Sequence, residues 1–265
     1  MKTFIVDSFT DEAFKGNPAG VCLLKTPMSD EVMLKIAQEL GLSETAFVSP
    51  IEDSKALSIR YFSPKMEIPL CGHATLASAK VVFEATNNTY IEFINIQNIT
   101  LPIESVNGQI SMRFPVYETA PANAPEALLA ALGLKAVINS VYNDETKILL
   151  LEIESSEKLS RLSPDYESLY KSHHSINGVL VTAKSCGEFD FHSRYFWPWS
   201  GTNEDPVTGG THTFLAKYWS ERLGKKKMKS FQSSARSGFM GVEIDNDQLI
   251  ITGSAVVIFR GELFV

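Results

Sequence analysis

The sequence predicts a mixed α+β protein made of two similar halves. Three observations carry this. Short β-rich runs and helices interleave without a strict βαβ rhythm, a two-part motif occurs twice, and a proline-bearing stretch lies between the copies.

Strands are read at 2–7, 46–48, 57–62, 109–114, 147–152, 178–183, 189–196 and 249–252, each rich in β-branched and aromatic residues. Turn residues such as Asn107-Gly108 separate some of them. A first helix is capped by Ser29, carries Asp30 and Glu31 in its first turn, and stops at Gly41. Between these, Val32, Met33, Ile36, Ala37 and Leu40 keep a helical period. A second is expected over 164–173, with Pro164 at the first helical position. Two more apolar helices are expected near 75–84 and 211–223.

The repeat sets the organisation. Arg60-Tyr61-Phe62-Ser63-Pro64 recurs as Arg194-Tyr195-Phe196-Trp197-Pro198. Glu67-Ile68-Pro69-Leu70-Cys71-Gly72 recurs as Glu204-Asp205-Pro206-Val207-Thr208-Gly209, and each copy runs into an apolar helix. Upstream, a helix and then a strand precede each arginine at a similar distance. With Pro121 and Pro125 in the stretch between the copies, a first domain is expected over 1–117 and a second over 118–254. The last strand, about 255–265, can return to either half and is a candidate to complete the first.

Composition narrows the function classes. A formal net charge of −7 gives no electrostatic case for nucleic acid or an anionic membrane. Lys225, Lys226, Lys227 and Lys229 form the single basic run, which reads as a solvated surface segment. Cys22, Cys71 and Cys186 are too few and too far apart for a disulfide framework or a zinc pattern. Cys22 and Cys186, in strand-like contexts, are expected to be buried. The N-terminal apolar run is too short for a signal peptide, and no stretch approaches a membrane span. A cytoplasmic protein is expected.

Each repeat places a glycine turn before a helix. The first N–H groups of a helix lack internal partners and carry the positive end of its dipole, so Gly72-His73 and Gly209-Gly210 are candidate anion pockets. Should the halves face each other, both helix starts would serve one cleft suited to a small carboxylate. The halves differ where chemistry would sit: Asp205 faces Ile68, His73 faces Gly210, Cys71 faces Thr208, and Glu44 has a counterpart near Asn177. Unmatched ionisable groups on duplicated scaffolding suggest one asymmetric reaction. Glu44, His73 and Asp205 form a candidate acid–base set: Glu44 moves a proton, His73 near a helix start favours its neutral form, and Asp205 holds His73 or a substrate amine. Each has a structural alternative: a cap for Glu44, helix-start packing for His73, a turn for Asp205-Pro206. His212 reads as packing, His173-His174 as surface, and Trp197 and Trp199 as either cleft wall or core.

Asp7-Ser8-Phe9-Thr10 with Gly16-Asn17-Pro18-Ala19-Gly20-Val21, then Leu42-Ser43-Glu44-Thr45-Ala46-Phe47, then the two helix-start motifs, together resemble the phenazine-biosynthesis-protein-like (PhzF) family. The match is ordered and runs from about residue 6 to about residue 240. The resemblance implies the diaminopimelate-epimerase-like fold, in which each of two pseudo-symmetric domains wraps a curved sheet around a central helix. It also implies a homodimer and an isomerase working without metal or organic cofactor on a small carboxylated metabolite. By position, Glu44 inherits proton transfer, and His73 and Asp205 support it. Gly72, Gly209, Gly210 and Asn17 inherit substrate binding. Gly210, where the family often has serine or alanine, and the glycine-poor segment 232–238 set this chain apart. Two other readings stand beside this one. A two-thiol racemase or epimerase is disfavoured by Thr208 opposite Cys71, and a scaffold-type interaction protein without turnover is disfavoured by the intact Glu44, His73 and Asp205.

Overall fold

The computed structural model describes residues 1–265, which divide into two compact units. Unit 1 comprises 1–113 and 250–265; unit 2 comprises 114–249.

Unit 1 runs β1 (Lys2–Ser8), β2 (Asn17–Leu23), α1 (Asp30–Leu40), β3 (Glu44–Pro50), β4 (Leu57–Phe62), β5 (Glu67–Ile68), α2 (Gly72–Thr86), β6 (Tyr90–Ile94), β7 (Thr100–Val106) and β8 (Gln109–Pro115). Unit 2 continues with β9 (Ala120–Pro121), α3 (Glu126–Ala131), β10 (Asn139–Asn143), β11 (Ile148–Ile153), α4 (Ser156–Ser160), α5 (Tyr166–Lys171), β12 (Gly178–Lys184) and β13 (Phe191–Trp197). There follow β14 (Thr202–Asp205), α6 (His212–Leu223), β15 (Lys227–Gln232) and β16 (Gly238–Asp245), after which β17 (Gln248–Gly253) carries the chain back into unit 1 and pairs with β8. The last strand, β18 (Ala255–Glu262), pairs antiparallel with β1 in unit 1.

The duplication is visible in the strand pairing. In unit 1, β1–β2 is antiparallel, β2–β3 parallel, β3–β4 and β4–β5 antiparallel, β4–β6 parallel and β6–β7 antiparallel. Unit 2 gives the same succession with β10–β11, β11–β12, β12–β13, β13–β14, β13–β15 and β15–β16. Each parallel step needs a crossover, supplied by α1 and α2 in one unit and by α4–α5 and α6 in the other.

α2 and α6 are the central helices. α2 is apolar nearly all round, and Ala74, Leu76, Ala77, Ala79, Val81 and Val82 bury against β1, β2, β3 and β18. A helix without a polar face belongs inside a sheet wrap. α6 buries Phe214, Leu215, Ala216 and Trp219, and packs on β15 and β16. β11 is buried along its whole length because helical cover from Leu128, Leu159 and Leu169 closes one of its faces. This is the diaminopimelate-epimerase-like α+β fold.

Several elements differ from expectation. The helix expected over 164–173 is Tyr166–Lys171: Asp165 takes the cap and accepts the Ser168 N–H, so Pro164 lies before the helix. Ser29 stands at the cap of α1 without a side-chain cap bond, while Gly41 closes that helix at φ 63°. β13 starts at Phe191, and Phe189 instead packs its ring on Phe231. Cys22 is buried, but Cys186 is exposed, because it sits in the loop between β12 and β13 rather than in a strand. In the lysine run Lys225 and Lys226 precede β15 and Lys227 and Lys229 alternate along it with Met228 and Ser230 inward, so all four are exposed.

Candidate functional site

α1 ends at Gly41 and the chain re-enters the sheet at Glu44, the first residue of β3. Parallel pairing with β2 puts Ala19 opposite Glu44, and Asn17, buried at the start of β2, lies opposite Ser8 of β1. The Ser8 hydroxyl donates to the His73 carbonyl at 2.8 Å. Three strand ends and the start of α2 are thereby gathered at one place in unit 1.

His73 meets three side chains there. Its Nε2 lies 3.3 Å from Glu44 Oε2, with side-chain exposures of 9% and 13%. The Ser43 hydroxyl is 3.5 Å from the same nitrogen, and Cys71 Sγ is 3.3 Å from Nδ1. Burial pushes the His73 pKa down, and the Glu44 charge partly offsets it. The sequence expectation of a depressed value holds, with desolvation rather than the helix start as its main cause. A neutral imidazole has one donor and one acceptor nitrogen, so it can pass a proton to or from the adjoining carboxylate.

The helix start is itself braced. Thr75 Oγ1 donates to the Cys71 carbonyl at 2.7 Å and meets the Tyr61 hydroxyl at 2.6 Å. Gly72 opens α2, where an N–H has no i−4 acceptor.

The second motif is held by different groups. The Thr208 hydroxyl donates to the Asp205 carboxylate. Gln232 Nε2 donates to the Asp205 carbonyl at 2.7 Å, and Gln232 Oε1 accepts the Thr208 N–H at 3.0 Å. The Ser234 hydroxyl donates to the Pro206 carbonyl at 2.5 Å. Gly209 is buried and Gly210 exposed, and their carbonyls accept from His212 and Thr213 in the turn before α6. The helix therefore starts three residues later, relative to the motif, than α2 does. His212 is structural: Nδ1 is 2.9 Å from the Thr208 carbonyl and Nε2 is 2.8 Å from the Ser230 hydroxyl. Thr75 fills the same place in unit 1. Trp199 packs on the unit 2 core and donates to the His173 carbonyl at 2.8 Å.

The repeated arginines are explained by ion pairs. Arg60 reaches Glu67 through two bonds of 2.7 and 2.6 Å, and Arg194 reaches Glu204 through two of 2.7 and 2.8 Å. Each guanidinium also lies over the phenylalanine two residues on, Phe62 and Phe196.

The pairing registers fix one sequence equivalence. Thr45 is opposite Phe62, and Val179 is opposite Phe196. Glu44 therefore corresponds to Gly178, one residue beyond Asn177. A Cβ at Gly178 would lie 2.5–2.7 Å from the ring carbons and hydroxyl of Tyr195. In unit 2 a tyrosine ring crowds the position at which unit 1 carries its carboxylate. Burial, with the Asp205 charge adding to it, pushes the Tyr195 hydroxyl pKa up.

Sequence reasoning missed Ser8, Ser43, Tyr61, Gln232 and Ser234 as parts of these sites. Ser8 and Ser43 adjoin motif residues, a usable signal; Gln232 gives none, because it acts on residues 24 and 27 positions away. One oxygen, one sulfur and one nitrogen from Glu44, Cys71 and His73 lie within 4.8 Å of one another, with the sulfur nearer Nδ1 of the ring and the carboxylate at Nε2.

Fold and site together define an isomerase/epimerase-type scaffold, with Glu44 and His73 in contact at a helix start. The sequence profile described as Phenazine biosynthesis-like protein matches residues 6–261, and the chain belongs to that family. A mouse phenazine biosynthesis-like domain-containing protein 2 is 40% identical, covering 98% of each chain. An uncharacterized isomerase of Halalkalibacterium halodurans is 38% identical over 99% of this chain and 98% of its own. Among solved structures, a phenazine biosynthesis protein of the PhzF family from Enterococcus faecalis superposes with a TM-score of 0.93 at 33% identity, covering 100% of this chain and 99% of that one. A probable proline racemase from Agrobacterium radiobacter shares the fold, with a TM-score of 0.63 at 9% identity. No helix is long and apolar enough to cross a membrane.

Proposed function

We propose that this chain is an isomerase that moves a proton by acid–base catalysis on a small carboxylated metabolite, with Glu44 as the transferring group. The observation that carries the reading is the 3.3 Å approach of Glu44 Oε2 to His73 Nε2 in a largely buried setting. Glu44 takes a proton from one substrate carbon and returns it to another, while the neutral His73 ring donates to, or accepts from, the carboxylate as its charge changes. Asp205 orients the substrate, and Gly72, Gly209, Gly210 and Asn17 bind it. Neither metal nor organic cofactor takes part. The reading extends to a homodimer in a reducing cytoplasm.

Screening carboxylated cyclic and amino-acid-like metabolites for solvent deuterium uptake tests it. We expect exchange in wild type and in Cys71→Ser, and its loss by at least 100-fold in Glu44→Gln. Exchange that follows Cys71 instead of Glu44 would favour a thiol-based epimerase. No exchange with any compound, together with a protein partner in pull-downs, would favour an interaction protein.

A further inference from the structure

We propose that the Tyr195 hydroxyl is a ligand-binding group of unit 2: it donates a hydrogen bond to an uncharged oxygen, a hydroxyl or a carbonyl, on the small carboxylated metabolite. The proposal rests on the reading that such a metabolite binds at Asp205, Gly209 and Gly210, and it narrows the substrate class to carboxylates that carry a hydroxyl or keto oxygen as well.

Tyr195 is 4% exposed, and its hydroxyl makes no hydrogen bond within the protein. Its repeat equivalent Tyr61 is also buried but meets Thr75 Oγ1 at 2.6 Å. Unit 2 offers no such partner: His212 stands where Thr75 stands in unit 1, and its two ring nitrogens are taken by the Thr208 carbonyl and the Ser230 hydroxyl. A buried hydroxyl without an acceptor forfeits its hydration for no bond in return, whereas phenylalanine would fill the same space without that loss. The oxygen is not sealed off. The enclosed unpaired side-chain atoms of unit 2 are Ser140 Oγ, Ser193 Oγ and Trp197 Nε1, and the phenol oxygen is not one of them.

The surroundings aim this hydroxyl at the start of α6. β13 and β14 pair antiparallel with Tyr195 opposite Asp205, so the two side chains leave the same face of the sheet. Asp205 in turn accepts the Thr208 hydroxyl in the helix-start motif. At the matching position in unit 1, Tyr61 is opposite the apolar Ile68. On its other flank the phenol lies over Gly178, where a Cβ would come within 2.6 Å of the hydroxyl. Gly178 is the counterpart of Glu44, so bare backbone leaves room for a hydroxyl where unit 1 sends out its carboxylate.

Electrostatics choose the acceptor. Burial and the Asp205 charge both push the Tyr195 pKa up, so the phenol keeps its proton and serves as a donor. The same Asp205 charge repels an anionic oxygen brought up to that donor, with little water between them to screen it. A hydroxyl or keto oxygen accepts the bond without the repulsion. The metabolite's carboxylate therefore belongs at the N–H groups of a helix start, and Tyr195 reads a second, uncharged oxygen.

Probes that differ by a single hydroxyl test the contact: succinate and L-malate, L-proline and trans-4-hydroxy-L-proline, cyclohexanecarboxylate and its 3-hydroxy derivative, each titrated calorimetrically into the full chain. In wild type we expect the hydroxylated member of at least one pair to bind about tenfold more tightly. Tyr195→Phe, which keeps the ring, should abolish that preference and leave the affinity of the unhydroxylated member within about twofold. Thermal melting verifies that the variant is folded. No binding or equal affinities within every pair in wild type, or a preference that survives in Tyr195→Phe, overturns the proposal. A preference lost in Tyr195→Phe, with no deuterium exchange in any compound, removes the isomerase reading and keeps the hydroxyl contact. Exchange that is lost in Glu44→Gln, with no preference in wild type, does the reverse.

Discussion

Arg194 and Arg60 occupy matched positions, yet water treats them differently. The Arg194–Glu204 pair is 9% and 14% exposed, and Arg194 also donates to the Leu162 carbonyl at 2.7 Å. The Arg60–Glu67 pair is 21% and 20% exposed, and its third partner, Asp30, stands in solvent. Removing one member of a buried pair strands the other charge. Arg194→Met should therefore cost about 3–5 kcal/mol, and Arg60→Met less, about 1–2 kcal/mol. Urea unfolding of both variants measures the difference, and equal losses would show that burial does not set it. Gly178 is the other telling residue. Gly178→Ala should cost about 1–3 kcal/mol through overpacking against Tyr195. At glycines in open turns, such as Gly133 at φ 72°, the cost should come from backbone strain alone, since nothing lies within 4 Å there.

At the scale of the element, the two helix starts carry out one task with different chemistry. Thr75 bonds the carbonyl four residues back with a hydroxyl, and His212 bonds its equivalent with a ring nitrogen. Burial pushes the His212 pKa down to about 4. The unfolded chain then binds this proton near pH 6.5 while the folded chain does not. Its contribution is present in full above pH 6.5 and is lost as pH falls toward 4, amounting to about 3 kcal/mol. His212→Gln should flatten the fall of urea midpoint over that range; an unchanged slope would assign the acid sensitivity to other groups. The same helices show what the sequence made legible. The repeated Arg-Tyr-Phe and Glu-x-Pro pieces could be read because the ion pair, the hairpin and the helix start all lie within one short stretch of chain. The first strand of the second motif's partner, β15, could not be assigned a role, since Gln232 reaches Asp205 only after α6 has folded back. β2 was missed because Pro18 and Gly20 argue against a strand; Gly20 is required, as a Cβ there would meet the Thr45 hydroxyl at 2.7 Å. Glu44 and His73 were both picked out as candidates. Their contact was not readable, because it spans 29 residues and depends on β2, β3 and α2 together.

At the scale of the whole chain, unit 1 is assembled from both ends of the sequence described. β18 lies along β1 from Lys2 to Ser8, the Met1 ammonium donates to the Leu263 carbonyl at 2.9 Å, and α2 packs on β18. Deleting 255–265 strips one side of β1 and exposes its ladder of N–H and C=O groups. Hydrogen exchange should then show unit 1 losing protection across β1 and α2 while β11 and β12, wholly within unit 2, keep theirs; equal loss in both would mean that the units unfold as one. The discontinuity bears on how the molecule comes into being. During synthesis, a ribosome delivers every residue of unit 2 before it delivers β18. The half that is begun first is thus finished last, and its nascent β1 must wait, with one flank bare, through the making of its sister.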